Sequence, residues 1–407
     1  MKILVLNAGS SSHKAALFDF EQGQEALWRA QLDWTHTAGA VELKAEAADG
    51  REHRDQLETQ EKIQGLRWML QTLVDSPVQI LTSLSEIQAV GHRVVHGGRE
   101  YKASIRVTAA VKTAIEQLFP LAPSHNPANL QGIEALEAIL GEIPQVAVFD
   151  TAFHAQMPAA ASTLPGPYDW VEQGIQRYGF HGTSHRYVAH RAAELMGRDL
   201  KDLQLITCHL GNGCSLSAVR DGISVDTTMG FTPLDGLMMG SRSGSLDPGV
   251  LIYLMRHDHL SADQLDVLLN KQSGLKGISG NSNDMRQVLE LAKQGSVGEA
   301  SPQENRAQLA FDMFIHNLRR HLGAMLGSLS RLDALVFTAG IGENSVDIWQ
   351  AACQDWPLLN LKLNPDKLQR HQTDQDIAAA DSPVRIWIIH TQEELAIAQD
   401  CLKILSA

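Results

Sequence analysis

Two stretches of this chain repeat one design half a chain apart, and that repeat constrains the fold more than any other feature. The first, "LVLNAGSSSHKAALFDFEQG" from Leu4, runs an apolar strand into a Gly-Ser turn and out along a second strand. In that second strand Ala16, Phe18 and Phe20 alternate with Ala15, Leu17 and Asp19. The second stretch, "LITCHLGNGCSLSAVRDG" from Leu205, does the same. Setting Asn7 against His209 aligns Gly9 with Gly211, Ser10 with Asn212, Ala16 with Ala218, Leu17 with Val219 and Asp19 with Asp221. Duplicated domains leave such a trace.

The first hairpin tip offers amide and hydroxyl donors suited to phosphate, yet it is not a P-loop. That pattern, G-x-x-x-x-G-K-[ST], needs a second glycine and a helix start behind it. A third apolar strand meets glycine in "ALVFTAGIGENS", Ala334 to Ser345, where two glycines let backbone approach a ligand that side chains would exclude. Around these strands the pattern predicts two mixed α/β halves. The first has helices at 62–75 and 109–119. In "HNPANLQGIEALEAILG" Asn126 reads as the N-cap, Pro127 as the first helical residue and Gly141 as the stop, and "QVAVFDTAFH" follows as a buried strand. The second half has a helix capped by Ser184 and ended by Gly197, strands over 205–228, helices at 247–257, 262–270, 284–294 and 303–330, a strand near 384–389 and a final helix. With no low-complexity linker, the boundary is expected just after Asp150.

The 407 residues suit about two domains. No run of about 18 apolar residues predicts a membrane span, and no basic, apolar and cleavable leader precedes the strand at Ile3, so a cytoplasmic protein is expected. Cys208, Cys214, Cys353 and Cys401 lack C-x-x-C spacing and read as packed thiols. The net charge of −13 argues against nucleic acid or an anionic membrane as partner. A phosphate ligand would therefore need a few cations placed locally.

Ionisable groups cluster, mostly among glycines, in "GHRVVHGGRE", "FDTAFH", "RYGFHGTSHR", "MGSRSGSLDPG" and "TQEELA". His181 and His185 stand four apart, but "GTS" between them is not the H-E-x-x-H of a zinc site. "GNGCSLS" likewise lacks the G-x-S-x-G elbow of a seryl hydrolase.

Taken in order, "VLNAGSSSHK", "GHRVVHGG", "APSHNPANLQGI", "FDTAFH", "RYGFHGTSHRYV", "HLGNGCS", "DTTMGFTPLDGLMMGSRSG", "FTAGIGEN" and "TQEELAIA" resemble the acetokinase family of short-chain carboxylate kinases across nearly the whole chain. The resemblance implies the fold of the acetate and sugar kinase, Hsp70 and actin (ribonuclease H-like) superfamily: α/β, two duplicated domains and a cleft between them. Domain I would cover 1–150, carry the acceptor and phosphate side and be completed by the C-terminal helix 393–407; domain II would cover 151–392 and bind nucleotide. The implied reaction moves the γ-phosphoryl of ATP to the carboxylate of acetate, reversibly, giving acetyl phosphate and ADP. The alternatives are propionate or another short-chain acid as acceptor, or a non-kinase ATPase or regulatory nucleotide-binding protein of the same fold. A cytoplasmic homodimer using Mg2+, with Mn2+ as a substitute, is also implied.

Carried over by motif, Arg93 would hold the acceptor carboxylate with a fork that lysine lacks. Arg242 and His181 would stabilise the transferring phosphoryl, because the transition state is loose and catalysis is mostly placed positive charge. Asp150 is the family's catalytic carboxylate. At an ordinary pKa of about 4 it is already ionised at neutral pH, so it is expected to orient Arg93 or the metal rather than take a proton. Val95, Ser124, His125, Phe180 and Pro233 would line the acid's pocket, with Ser124 where the family has leucine, a smaller polar wall that would either admit a longer or hydroxylated acid or merely lower acetate affinity. Lys14, His209, Leu210, Gly211, Asn212, Gly213, Asp284, Met285, Arg286, Gly340, Ile341, Gly342, Glu343 and Asn344 would hold the nucleotide. Asn7 and Glu393 would hold magnesium, which favours a few oxygen ligands and retained waters. His13, Ser241 and Ser245 are further departures, beside Lys14 and around Arg242.

Overall fold

Ile3, Leu4, Val5 and Leu6 are all buried, and a strand with two apolar faces belongs inside a sheet covered on both sides. In the computed structural model, which describes residues 1–295, 301–356, 359–370 and 372–406, they lie in β1 (Lys2–Ala8). β1 pairs antiparallel with β2 (Ser12–Asp19) from Lys2↔Asp19 to Ala8↔His13, which leaves 9–11 as the hairpin tip. β3 (Ala26–Asp33), β4 (Val41–Ala47) and β5 (Glu52–Leu57) extend the antiparallel side. Beyond β1 lie β6 (Ala89–Val94) and β8 (Gln145–Phe149), both parallel, and the two-residue β7 (Ile105–Arg106) closes the edge. The order is β5-β4-β3-β2-β1-β6-β8-β7.

The second sheet contains β9 (Gln204–Leu210), β10 (Cys214–Arg220), β11 (Ile223–Thr227), β12 (Ala334–Thr338), β13 (Gln375–Asp376) and β14 (Arg385–Ile388), in the order β11-β10-β9-β12-β14-β13. Strand for strand this reproduces β3-β2-β1-β6-β8-β7 of the first sheet, with every pair parallel or antiparallel as its counterpart. The hairpin repeat is thus one part of a duplicated sheet, in the fold expected from the family resemblance.

Each sheet centres one compact unit. The first unit is Met1–Phe153 with Gln392–Ala407 and the second is His154–Thr391. In the first, Leu4, Leu6, Leu17, Trp28 and Leu32 pack with Leu66, Met69 and Leu70 of the helix Lys62–Gln71. On the terminal helix, Glu393–Leu405, Ile397 and Cys401 lie against β6 so closely that a Cβ on Gly91 would sit 2.6 Å from Ile397 Cγ2 and from Cys401 Sγ. Only glycine admits the helix at that distance.

Several local expectations shift. The helix Asn126–Leu140 begins one residue early, because His125 takes the cap position while the Asn126 side chain bonds elsewhere. The helix Gly182–Leu195 starts before Ser184, with His181 at the cap in a left-handed conformation, φ 56° and ψ 24°. The Ser184 hydroxyl is committed to His209 and Thr391, so it caps nothing. β12 runs into a short helix, Ala339–Asn344, instead of an open turn, and the long helix Pro302–Leu326 stops short of 330.

Candidate active site

In the first unit the chemistry gathers at the ends of β1, β6 and β8. Arg93 lies near the end of β6 and Asp150 just past β8, on adjacent parallel strands, so both project from one edge. Arg93 donates from Nε (2.9 Å) and Nη2 (2.6 Å) to Asp150 Oδ2, and from Nη1 to Asn7 Oδ1 at 3.4 Å. Glu393, first residue of the terminal helix, stands 3.9 Å from Arg93 Nε. Asp150 is buried while Arg93 keeps a fifth of its side chain exposed. Burial works to lower the Arg93 pKa, and the Asp150, Glu393 and Glu394 carboxylates together outweigh it and leave it raised. Burial pushes Glu393 up to about 7; Arg93 and Lys14 hold it down, and Asp150 and Glu394 raise it.

Asn7 and Glu393 are thus brought together around Arg93, although 386 positions separate them. An amide oxygen and a half-buried carboxylate of raised pKa form a hard-oxygen pair that fits magnesium with waters or phosphate completing the shell. Lys14 is exposed and pairs with Asn7 in the hairpin register. His13 points into the core instead, edge-on to Trp34 at 4.9 Å, and burial lowers its pKa to about 4. The departure from leucine is absorbed on the face opposite Lys14. Val95 is buried, Ser124 exposed and His125 half-buried.

Asn129, which the sequence leaves without a role, and Asn126, expected from it as a helix cap, fix this edge. Asn129 Oδ1 accepts from Val95 N (3.0 Å) and its Nδ2 donates to Ala8 O (2.7 Å), while Asn126 exchanges two hydrogen bonds with the His96 backbone. They tie the ends of β1 and β6 to one helix. A buried Asn in "HNPANL" at helical spacing was the available signal.

In the second unit, four histidines lie among hydroxyls. His181 Nδ1 meets Ser215 Oγ at 2.9 Å, His185 Nε2 meets the same oxygen at 2.7 Å, and His185 Nδ1 meets Thr207 Oγ1 at 2.7 Å. The His181 ring stacks on His209, with centroids 4.1 Å apart and planes 21° apart. His154 donates from Nε2 to the carbonyl of buried Phe180. Arg242 Nη1 donates to Pro233 O at 3.1 Å. A Cβ on Gly213 would stand 3.3 Å from His181 Nε2 and 3.6 Å from Arg242 Nη1. His181, Arg242 and the second hairpin tip therefore meet at one place, close packed over Gly213. Ser241 and Ser245 direct their hydroxyls to Asn270 O and Asp235 Oδ1, holding the loop that carries Arg242.

Asn283 Nδ2 donates to Asn212 Oδ1 at 3.3 Å, which puts the tip beside Asp284, N-cap of the helix Met285–Gln294. Met285 is buried and Arg286 is exposed, ion-paired with Asp284 at 2.6 Å. A Cβ on Gly340 would meet open space, while Gly342 is packed under Leu210 and the Cys208 carbonyl. Glu343 turns back on its own loop: its carboxylate accepts from Ala339 N (2.7 Å) and Thr391 N and bonds His390, which together outweigh burial and lower its pKa. Asn344 donates to Gly340 O. Ile341 is half-buried between them.

The family model of the acetokinase family matches residues 2–399. An acetate kinase of Trichormus variabilis is 53% identical over the full length of both chains. Among solved structures, the Porphyromonas gingivalis acetate kinase has a TM-score of 0.91 at 38% identity, covering 99% of each chain. A propionate kinase from Francisella tularensis has 0.89 at 38%, covering 98% of each. Matched end to end by family, sequence and structure, this chain is an enzyme of the acetokinase family.

Proposed function

We propose that the protein transfers the γ-phosphoryl of ATP to acetate, giving acetyl phosphate and ADP, and runs the reaction in both directions. The observation that carries this reading is the Arg93 guanidinium, held on one edge by Asp150 and flanked by Asn7 and Glu393. Arg93 binds the acceptor carboxylate, with Asp150 fixing its fork rather than taking a proton. Val95, Ser124, His125, Phe180 and Pro233 are assigned to binding the acid from the family resemblance. Asn7 and Glu393 hold Mg2+, or Mn2+ in its place. Bound there, the ion would neutralise charge on the phosphate oxygens. His181 and Arg242 stabilise the phosphoryl in transfer. Lys14, residues 209–213, 284–286 and 340–344 bind the nucleotide, so that the unit built on the first sheet is the acceptor side and the other the nucleotide side.

The supporting test is hydroxylamine trapping of acyl phosphate with ATP, magnesium and a panel of acetate, propionate, butyrate and glycolate. Hydroxamate from acetate is the expected result, and ATP hydrolysis with no hydroxamate from any acid would refute the kinase reading. Ser124 favours a second reading, in which propionate or a longer acid is used comparably. One methylene in an apolar pocket is worth only about 1–3 kcal/mol, so discrimination by the pocket is modest. A preference for acetate as strong as in leucine-bearing relatives would remove that reading.

The enzyme is further proposed to act in the cytoplasm as a homodimer. Among the described residues no helix is long and apolar enough to cross a membrane. The helix Pro248–His257 buries none of its residues, yet carries Val250, Ile252, Tyr253 and Met255 exposed. Leu246, Leu309 and Met313 add apolar surface around one open pocket of the same unit. A second copy of the chain would cover such a surface.

A further inference from the structure

A neutral imidazole donates from one nitrogen and accepts at the other, and a hydroxyl has one proton to give, so a chain in which the inner hydroxyl gives that proton to one of its two imidazoles runs in a single direction. Thr207, His185, Ser215 and His181 form such a chain, with links of 2.7, 2.7 and 2.9 Å. His185 is wholly buried, and burial together with His154 and His209 holds its pKa well below the ordinary value, so it has one proton to give. If the chain ran from His181 toward Thr207, the Thr207 hydroxyl would have to donate to Ser217 O at 3.5 Å, the outer limit of a hydrogen bond. Run the other way, Thr207 donates to His185 Nδ1 at 2.7 Å, His185 Nε2–H donates to Ser215, and Ser215 donates to His181 Nδ1.

From this direction we infer that Ser215 and His185 are positioning residues that hold His181 as the tautomer with its proton on Nε2, the nitrogen beside Gly213 and Arg242, where it donates to the transferring phosphoryl. A hydroxyl donating to Nδ1 favours the neutral ring, so His181 acts as a neutral donor beside the fixed charge of Arg242. The left-handed backbone at His181 and the stack on His209 hold the ring plane, and the Ser215 hydroxyl sets which edge carries the proton. The phosphoryl part of this inference rests on the proposed kinase reaction; the tautomer does not.

The test uses the full chain labelled with 15N-histidine, with the His181 signals assigned by their loss in His181→Gln. Long-range proton–nitrogen spectra at pH 7.5 should show His181 neutral with its proton on Nε2. A proton on Nδ1, or an imidazolium, would overturn the inference without reference to activity. In Ser215→Ala the His181 pKa should rise, since a donor to the neutral ring is lost while His185, His209 and Arg242 still face it. Its kcat for acyl phosphate formation should fall about tenfold, the scale of one hydrogen bond, with KM for acetate little changed. Ser215→Thr, which keeps the hydroxyl, should restore both. An Ala variant that titrates and turns over as the parent does would sink the proposal. If the parent makes no acyl phosphate, the kinase reading fails while the spectrum still decides the tautomer.

Discussion

Asp150 and Arg93 illustrate what a residue's immediate partners add to a motif. "GHRVVHGG" and "FDTAFH" mark both residues as candidates, but only adjacent parallel strands set them 2.6 Å apart. With Asp150 fixing the Arg93 fork, Asp150→Asn should lower kcat/KM for acetate about a hundredfold by the same factor at every pH from 6 to 9. Loss of the basic limb of the profile would instead identify Asp150 as a proton acceptor. Glu393 gives the opposite pH behaviour. Its carboxyl is raised from an ordinary 4.5 to about 7, so its ionisation disfavours the folded state, and that cost develops as pH rises from 4.5 through 7. A bound cation selects the ionised form. Magnesium affinity should therefore climb about tenfold between pH 6 and pH 8, as the ionised fraction goes from about a tenth to about nine tenths, and then level off. Isothermal titration of the parent and Glu393→Gln checks this, and a pH-independent affinity in the parent would refute it. His13 was an open position in the sequence; burial against Trp34 answers it, on the side away from Lys14.

For whole elements, period and punctuation carried most of the information. The hairpins, the Asn126 helix and its stop at Gly141 could be read from alternation, proline and glycine. β3 and β4 were not placed, although Ala26, Trp28, Ala30 and Leu32, then Val41, Leu43, Ala45 and Ala47, alternate inward with the period of a strand. A cap departs from the position that sequence suggests where the side chain serves a tertiary partner, as Asn126 serves His96 and Ser184 serves His209. Gly91 shows why the terminal helix needs its strand. Gly91→Ala should lower stability by about 1–3 kcal/mol through overpacking against Ile397 and Cys401, read as a lower urea midpoint at unchanged slope. Adding Cys401→Ala should cost less in that background than alone, since the two positions share the crowded space. Strict additivity would show that the helix moves away freely.

At the scale of the molecule, the sheets repeat six strands in the same order and the same senses, far more than the short hairpin alignment conveys. The proposed homodimer also belongs at this scale. Tyr253→Glu with Ile252→Glu should convert a dimer to a monomer by size exclusion with light scattering, because a covered apolar face would take on two charges. A parent that is already monomeric would refute the dimer, and a variant that stays dimeric would move the interface elsewhere.

The sequence by itself determined the architecture and the family, because hairpin period, glycine placement and nine ordered motifs are local and survive being read one after another. Only tertiary structure decided how the residues work together. Asn7 and Glu393, 386 positions apart, flank one arginine because the terminal helix packs on β6 over Gly91. Thr207, His185, Ser215 and His181 share a direction of hydrogen bonding because β9, β10 and the helix Gly182–Leu195 bring their side chains within 3 Å links. Pairwise distance and burial set charge and protonation, and neither is a property of any stretch of chain alone.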